Sequence, residues 1–254
     1  MDHELPLTPW ADFMAQLRWS QGEHVTIIGP TGTGKTTLMR ALMQKRIQAG
    51  GAIVVLATKP RDTALSSWAR QDELTIVRDW PPRAPQRWRP PLDHITPQGR
   101  TLDWEHRVMV WPQADPGRYA ETLSAVHRRA LVDMFVRGDY CIAAEELHYL
   151  CAELGLEKEL NTIWTQGRSN GLSLIGGTQR PVNIPLYAYS SASHLFFFGD
   201  NDERNLARIQ GLGGMAAENI RRQVGTLPKH DVLYVGTRDR VTVRTRVPII
   251  QRKA

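Results

Sequence analysis

Two hydrophobic rhythms alternate along the chain. Short, nearly continuous apolar runs recur at HVTIIG (24–29), AIVVLATKP (52–60), LTIVRDW (74–80), RVMVW (107–111), DYCIAAEE (139–146), LSLIGGTQ (172–179) and HLFFFGD (194–200). A run apolar at every position is what a strand covered on both faces requires, so each run predicts a strand, and HVTIIG, AIVVLATKP, DYCIAAEE and LSLIGGTQ predict buried ones. Between them the apolar residues fall at helical spacing. Residues 8–18 read as a short helix, with Thr8 as N-cap, Pro9 at the first helical position, and Trp10, Phe13, Met14 and Leu17 on one stripe. Further helices are predicted over 35–48, ended by Gly50-Gly51, and over 62–71. Another runs from Asp115-Pro116 to Val136, with Tyr119, Leu123, Val126, Ala130 and Met134 on one face. The rest lie from the second carboxylate of CIAAEE to Gly167, over 202–210, and over 215–223. DVLYVG and VTVRT flank a turn at Thr237–Arg240 and predict a C-terminal β-hairpin.

Strands alternating with helices predict an α/β fold with a mostly parallel sheet covered on both faces, and such sheets bind ligands beyond the carboxyl ends of their strands. A chain of 254 residues suits one large domain. The expected organisation is a short N-terminal helix (1–20), a core (21–236) and a basic C-terminal strand and tail (237–254). Within the core, 81–106 reads as an irregular basic insertion rich in Pro and Trp. Trp80, Trp88 and Trp104 flank or occupy that insertion, either to stack on nucleotides or to anchor it on the core. No apolar run reaches the roughly 18 to 20 residues that span a bilayer. The acidic, proline-containing start MDHELPLTPW is unlike a secretory signal, so a cytoplasmic location is expected. Cys141 and Cys151 have no metal-ligand spacing and are expected to be buried thiols. The net charge is +6 and unevenly spread. Arg238, Arg240, Arg244, Arg246, Arg252 and Lys253 face one acid, Asp239; Arg83, Arg87, Arg89 and Arg100 face Asp93. Such clusters suit a phosphate-backbone partner, or are simply solvated basic surface.

The chemistry is concentrated at strand ends. GPTGTGKT matches G-x-x-x-x-G-K-[ST] in full, between a predicted strand and a predicted helix. Gly29, Pro30, Thr31, Gly32, Thr33 and Gly34 would wrap the backbone round phosphates, with the N-terminus of the helix, at Lys35, Thr36 and Thr37, adding its positive dipole. Lys35 would reach the β- and γ-phosphates, and the Thr36 hydroxyl would ligate Mg²⁺. The ligand implied is a nucleoside triphosphate, ATP, with Mg²⁺. The strand CIAAEE ends in two carboxylates: Glu145 to hold Mg²⁺ through its water shell, Glu146 to polarise the attacking water. Two acids there could also merely start a helix. Gln179 ends the strand LSLIGGTQ, where it can sense the γ-phosphate or be a loop glutamine. Arg168 closes the preceding helix, a position that the helix dipole alone favours.

The ordered set GPTGTGKT, EELH (145–148), GRSNG (167–171) and TQRP (178–181) resembles the HerA/FtsK superfamily of DNA-pumping ATPases over about residues 22–200. The resemblance implies a RecA/ASCE-like P-loop NTPase with sheet order 5-1-4-3-2 and a ring, usually hexameric. It also implies that Arg168 is an arginine finger entering the neighbouring subunit's site and that Gln179 is the sensor. With only a short helix ahead of the P-loop, the chain looks like the genome-packaging ATPases of tailless, membrane-containing viruses. The expected function is ATP-driven translocation of double-stranded DNA by a homo-oligomeric ring. DNA would be gripped on its backbone with little sequence preference, with Arg83, Arg87, Arg89 and Arg180 as candidate grips. A viral capsid or membrane vertex protein is a candidate partner. The rival readings are a DNA-transfer or repair motor of the same superfamily, a P-loop small-molecule kinase, and a non-motor ATP switch within an assembly.

Overall fold

The computed structural model describes residues 5–81, 107–113, 117–210 and 217–249. Arg83, Arg87, Arg89, Arg100, Trp88, Trp104, Arg252 and Lys253 therefore lie outside the described residues, as does nearly all of the 81–106 insertion. The strands are β1 (Leu7–Thr8), β2 (His24–Ile28), β3 (Ala52–Leu56), β4 (Thr75–Val77), β5 (Arg107–Val110), β6 (Tyr140–Ala144), β7 (Ser173–Thr178), β8 (Ala192–Phe198), β9 (Asp231–Gly236) and β10 (Val241–Arg246). They form one sheet in the order β1-β10-β9-β8-β2-β7-β6-β3-β5-β4. The central strands β8-β2-β7-β6-β3 are parallel and reproduce the 5-1-4-3-2 order. The sheet then exceeds that expectation on both sides. Parallel β5 and β4 extend it past β3, and the antiparallel hairpin β9–β10 and the short β1 extend it past β8.

Alternate side chains of each strand feed opposite faces, which is why continuous apolar runs were required. Ile53 and Val55 of β3 pack with Leu38, Leu42 and Met43 of α2 (Lys35–Gln48), Leu65 and Trp68 of α3 (Thr63–Gln71), and Phe13 of α1 (Trp10–Gln16). Val54 and Leu56 face the other layer. There they meet Leu123, Val126 and Met134 of α4 (Tyr119–Arg137) and Leu160 and Trp164 of α5 (Glu157–Gln166). The short α6 (Tyr187–Ser190), α7 (Glu203–Gln210) and α8 (Ala217–Thr226) complete that layer. A fully buried Leu or Ile stabilises by about 1.5–3 kcal/mol, so both layers are large contributors.

Two local expectations are corrected. Thr8 does not cap α1: it pairs in β1 with Thr245, whose hydroxyl donates to the Thr8 carbonyl at 2.9 Å. An edge pairing has claimed Thr8, so Pro9 takes the cap position instead of the first helical one, and Trp10 opens the helix. The helix expected from the carboxylates to Gly167 is broken. A π-helical turn spans Tyr149–Glu153, Gly155 adopts a φ of 62°, and α5 begins only at Glu157. Trp80 anchors on the core, buried and donating its indole N–H to Asp133 at 3.0 Å. Both cysteines are buried free thiols, pushed up to about 12 by burial. Among the described residues, no helix is long and apolar enough to cross a membrane.

Candidate nucleotide site

The loop Gly29–Gly34 follows β2 at the carboxyl edge of the sheet and runs straight into α2. Gly34 holds a φ of 116°, which an L side chain rarely adopts, and this turns the chain into the helix. The Gly29 N–H is tied to the Thr178 carbonyl at 3.2 Å, and the Thr33 hydroxyl closes the turn on the Pro30 carbonyl at 2.9 Å. The Lys35 ammonium lies over the loop, donating to the carbonyls of Gly29 at 2.7 Å and Pro30 at 2.8 Å. Burial pushes its pKa down to about 8, against the opposing pull of Glu146 and Glu145. A lysine so desolvated gains strongly from an anionic partner.

Two strands further along, β6 delivers both carboxylates to the same cleft. Glycines in β7 make this possible. A Cβ on Gly177 would lie 2.6 Å from the Glu145 carbonyl oxygen, and one on Gly176 would lie 2.4 Å from Leu147 Cδ1. The IGGT sequence thus lets the chain after β6 settle against β7. The Thr36 hydroxyl donates to Glu145 Oε1 at 2.6 Å. Glu145 Oε2 is buried without a hydrogen-bond partner, and Lys59 Nζ lies 3.8 Å away. A hydroxyl and a carboxylate with an uncommitted buried oxygen form a hard, oxygen-donor pair that fits Mg²⁺. Glu146 accepts from Gln179 Nε2 at 3.0 Å, while Gln179 Oε1 accepts from the Thr31 hydroxyl at 2.5 Å. Gln179 therefore joins the phosphate loop directly to the second carboxylate. Burial raises the Glu146 pKa above the usual carboxylate value, more than Lys35 and Gln179 lower it.

Thr31, Gly32, Gly34, Lys35, Thr36, Thr37, Glu145, Glu146 and Gln179 line one cleft of about 330 Å³. Arg168 is not among them. It sits in a 3₁₀ turn, Gly167–Asn170, just before β7, with its backbone carbonyl 3.0 Å from where a Cβ on Gly22 would be. That is the amino edge of the sheet, opposite the phosphate loop. Its side chain is exposed and has no partner among the described residues.

The cleft also holds residues that sequence reasoning passed over: Lys59, His230, Pro248 and Ile249. Lys59 was legible, because it follows the apolar run of β3 just as Glu145 follows that of β6. Burial alone would lower its pKa, but Glu145 and Asp62 outweigh it and raise it. His230 and Pro248 reach the cleft only through the pairing of β9 and β10, which no local pattern reveals. Several basic residues of the tail are internally neutralised. Arg238 pairs with Glu23 at 2.7 Å, and Arg244 and Arg246 both pair with the fully buried Asp231, at 2.8 and 2.5 Å.

The family model for ABC transporters matches residues 14–196. The phosphonates import ATP-binding proteins PhnC 1 and PhnC 2 of Pseudomonas aeruginosa are each 38% identical over 74 residues. That stretch is 28% of this chain and spans only 27% of those relatives' length. Among solved structures, the genome packaging NTPase B204 from Sulfolobus turreted icosahedral virus 2, in complex with AMPPCP, superposes with a TM-score of 0.58. It is 15% identical, over 91% of this chain and all of that one. The plasmid coupling protein TrwB, in complex with the ATP analogue ADPNP, gives 0.65 at 13% identity, over 97% of this chain and 94% of its own. At such identities the likeness is one of fold: an α/β P-loop NTPase with a mostly parallel sheet. With the family model matched over most of its length, the chain belongs to the ABC transporter family of P-loop ATPases, and it is an ATP-binding ATP hydrolase.

Proposed function

We propose that this chain is the subunit of a HerA/FtsK-type ring motor that uses ATP to move double-stranded DNA, and that its task is packaging a viral genome in the cytoplasm of a host. The observation that carries the reading is the position of Arg168: exposed, unpartnered among the described residues, and on the sheet edge opposite its own phosphate loop. A guanidinium so placed cannot serve its own nucleotide and is free to serve a neighbour's. The fold likeness to a genome packaging NTPase and to a plasmid coupling protein supports the choice of DNA as the substrate.

In this reading the loop residues Gly29–Thr37 cradle the triphosphate, and Lys35 neutralises its β- and γ-oxygens. Thr36 and Glu145 would hold Mg²⁺, which when bound supplies positive charge to the phosphates. Glu146 polarises the attacking water, and its raised pKa favours accepting the proton. Gln179, bonded to both Thr31 and Glu146, aligns the water-polarising group with the γ end. Arg168 stabilises the charge spread over the neighbour's γ-phosphoryl oxygens. Arg180, exposed beside the sensor, is the DNA grip nearest the site, and Arg83, Arg87 and Arg89 of the insertion would add to it.

A second reading has its own support. The 38% identity to phosphonate import proteins favours an ATPase that powers an importer through a separate membrane partner. One experiment separates the two: ATPase rates of wild type, Lys35→Ala, Arg168→Ala and the last two mixed, with and without double-stranded DNA. The motor reading expects DNA to raise the wild-type rate, and the effect to fade with salt because releasing counterions into a saltier solution gains less. Arg168→Ala should bind ATP and turn over about 10³-fold more slowly. The mixture should regain activity, because a Lys35→Ala subunit can lend its Arg168 to an intact neighbouring site. Indifference to DNA favours the importer. Full activity of Arg168→Ala, or no recovery in mixed assemblies shown to form, removes Arg168 from the neighbour's site.

A further inference from the structure

The strand order fixes which way a nucleotide lies in the cleft. The γ end must meet Lys35, Glu146 and Gln179, and Glu146 and Gln179 follow β6 and β7, on one flank of the phosphate-loop strand β2. The nucleoside then leaves on the other flank, occupied by β8, β9 and β10. β9 starts and β10 ends at this same carboxyl edge, because Asp231 pairs with Arg246 and Val232 with Phe198. The residue before β9 is His230, and the residues after β10 are Val247, Pro248 and Ile249. They are fastened to the loop and to each other. Val247 N–H donates to the His230 carbonyl at 2.9 Å, and Val247 Cγ1 lies 3.5 Å from a Cβ built on Gly34. Ile249 is 66% exposed, and it lines the cleft with Pro248, giving an apolar wall with nothing of this chain's described residues covering it.

His230 adds a specific polar group to that wall. Its Nδ1 lies 3.0 Å from the Thr33 carbonyl oxygen. A carbonyl can only accept, so Nδ1 carries the proton, and in that tautomer Nε2 is a bare acceptor. We infer that His230, Pro248 and Ile249 form the nucleobase subsite, and that His230 Nε2 accepts a hydrogen bond from the 6-amino group of adenine. Pro248 and Ile249 cover a flat heterocycle, while a lone pair aimed at its edge selects a base that donates at position 6. A base with an oxygen there would set two acceptors against each other and leave both unpaired, which penalises it. The inference rests on the reading that the γ end lies at Glu146 and Gln179.

The test is displacement of a fluorescent ATP analogue by ATP, by inosine triphosphate and by inorganic tripolyphosphate, from wild type and from His230→Asn. Asparagine is chosen for two reasons. Its Nδ2 can replace Nδ1–H on the Thr33 carbonyl, and it tolerates the left-handed backbone that His230 holds at a φ of 71°. It places no acceptor where Nε2 was. Wild type should prefer ATP over inosine triphosphate by about tenfold, the worth of one good hydrogen bond and one avoided clash. His230→Asn should bind tripolyphosphate as wild type does and treat the two nucleotides alike. A preference that survives in His230→Asn, or a wild type with no preference, overturns the base contact. An equal loss for ATP and tripolyphosphate in His230→Asn also overturns it, because His230 would then act only by bracing the loop. Failure of wild type to bind tripolyphosphate, with ATP bound normally, overturns the orientation on which the inference rests.

Discussion

The two flanks of β2 both carry buried carboxylates, and they treat them in opposite ways. On the β7–β6 flank, Glu145 Oε2 has no hydrogen bond, Glu146 is held above its usual pKa, and the nearby lysine is depressed to about 8. On the β8–β9–β10 flank two buried acids, Asp231 and Glu23, are matched by cations. Asp231 receives both Arg244 and Arg246. Glu23 receives the Ser20 N–H at 2.8 Å, Arg238 at 2.7 Å and His194 Nε2 at 3.1 Å. Glu23 can only accept, so His194 carries its proton on Nε2, and Nδ1 accepts from the Tyr234 hydroxyl at 2.9 Å. Burial raises the Glu23 pKa, but the hydrogen bonds outweigh it and leave it lowered. One flank keeps a carboxylate oxygen without a hydrogen bond where a ligand can use it. The other spends its charge fixing an antiparallel hairpin to a parallel sheet.

That contrast is broken most severely at Asp231. It is fully buried, and removing it takes from Arg244, whose side chain is only 11% exposed, the carboxylate that two of its guanidinium nitrogens donate to. Asp231→Ala should lose on the order of 3–5 kcal/mol of stability, the scale of a buried pair cut on one side. Urea unfolding at neutral pH measures it. A loss under about 1 kcal/mol would mean that solvent already reaches the pair.

The reactive flank should respond with the reverse sign. Glu146→Gln should bind ATP and turn over about 100-fold more slowly. Because the folded pKa of Glu146 is raised, its contribution to stability is present below the usual value of 4.5 and is lost as pH rises through the folded value. At pH 7 the ionised side chain is therefore a cost to the fold. Glu146→Gln should raise the urea midpoint at pH 7 and leave it unchanged at pH 4. A slow enzyme with no gain in stability would place the burial of Glu146 elsewhere than in the folded resting state.

The two flanks also differed in how far they could be read from the sequence. Lys35, Glu145, Glu146 and Gln179 each sit within a few residues of an apolar run, so a local pattern marks both the strand and the side chain at its end. Glu23 meets His194 and Arg238 from 171 and 215 positions away, and nothing local announces those partners. The basic tail read as a free charge cluster for the same reason: Arg244 and Arg246 look available until β9 brings Asp231 beside them. The break after β6 was missed because Leu147, Leu150, Leu154 and Leu156 are all buried at roughly helical spacing. Gly155, with its positive φ, is the residue that allows the chain to leave the helix there.

The smallest of these effects is expected at Glu23, and it sharpens the contrast most cleanly because it touches no part of the cleft. Glutamine has the size of glutamate but only one acceptor oxygen. Ser20 N–H, Arg238 and His194 Nε2–H are all donors, so an amide nitrogen in place of Oε2 opposes two of them. Glu23→Gln should lose about 2 kcal/mol, the range of charge-assisted hydrogen bonds. Its turnover per folded molecule should match wild type. The pH dependence separates charge from shape. With a lowered folded pKa, the stability due to Glu23 is present above 4.5 and is lost as pH falls through the folded value. Wild type and Glu23→Gln should then differ fully at pH 7 and converge as the pH falls through that lowered folded value. If the gap persists at low pH, the variant has disturbed packing around Tyr234 rather than charge. If turnover falls with stability intact, the β8–β9–β10 flank is not the passive partner of the catalytic one.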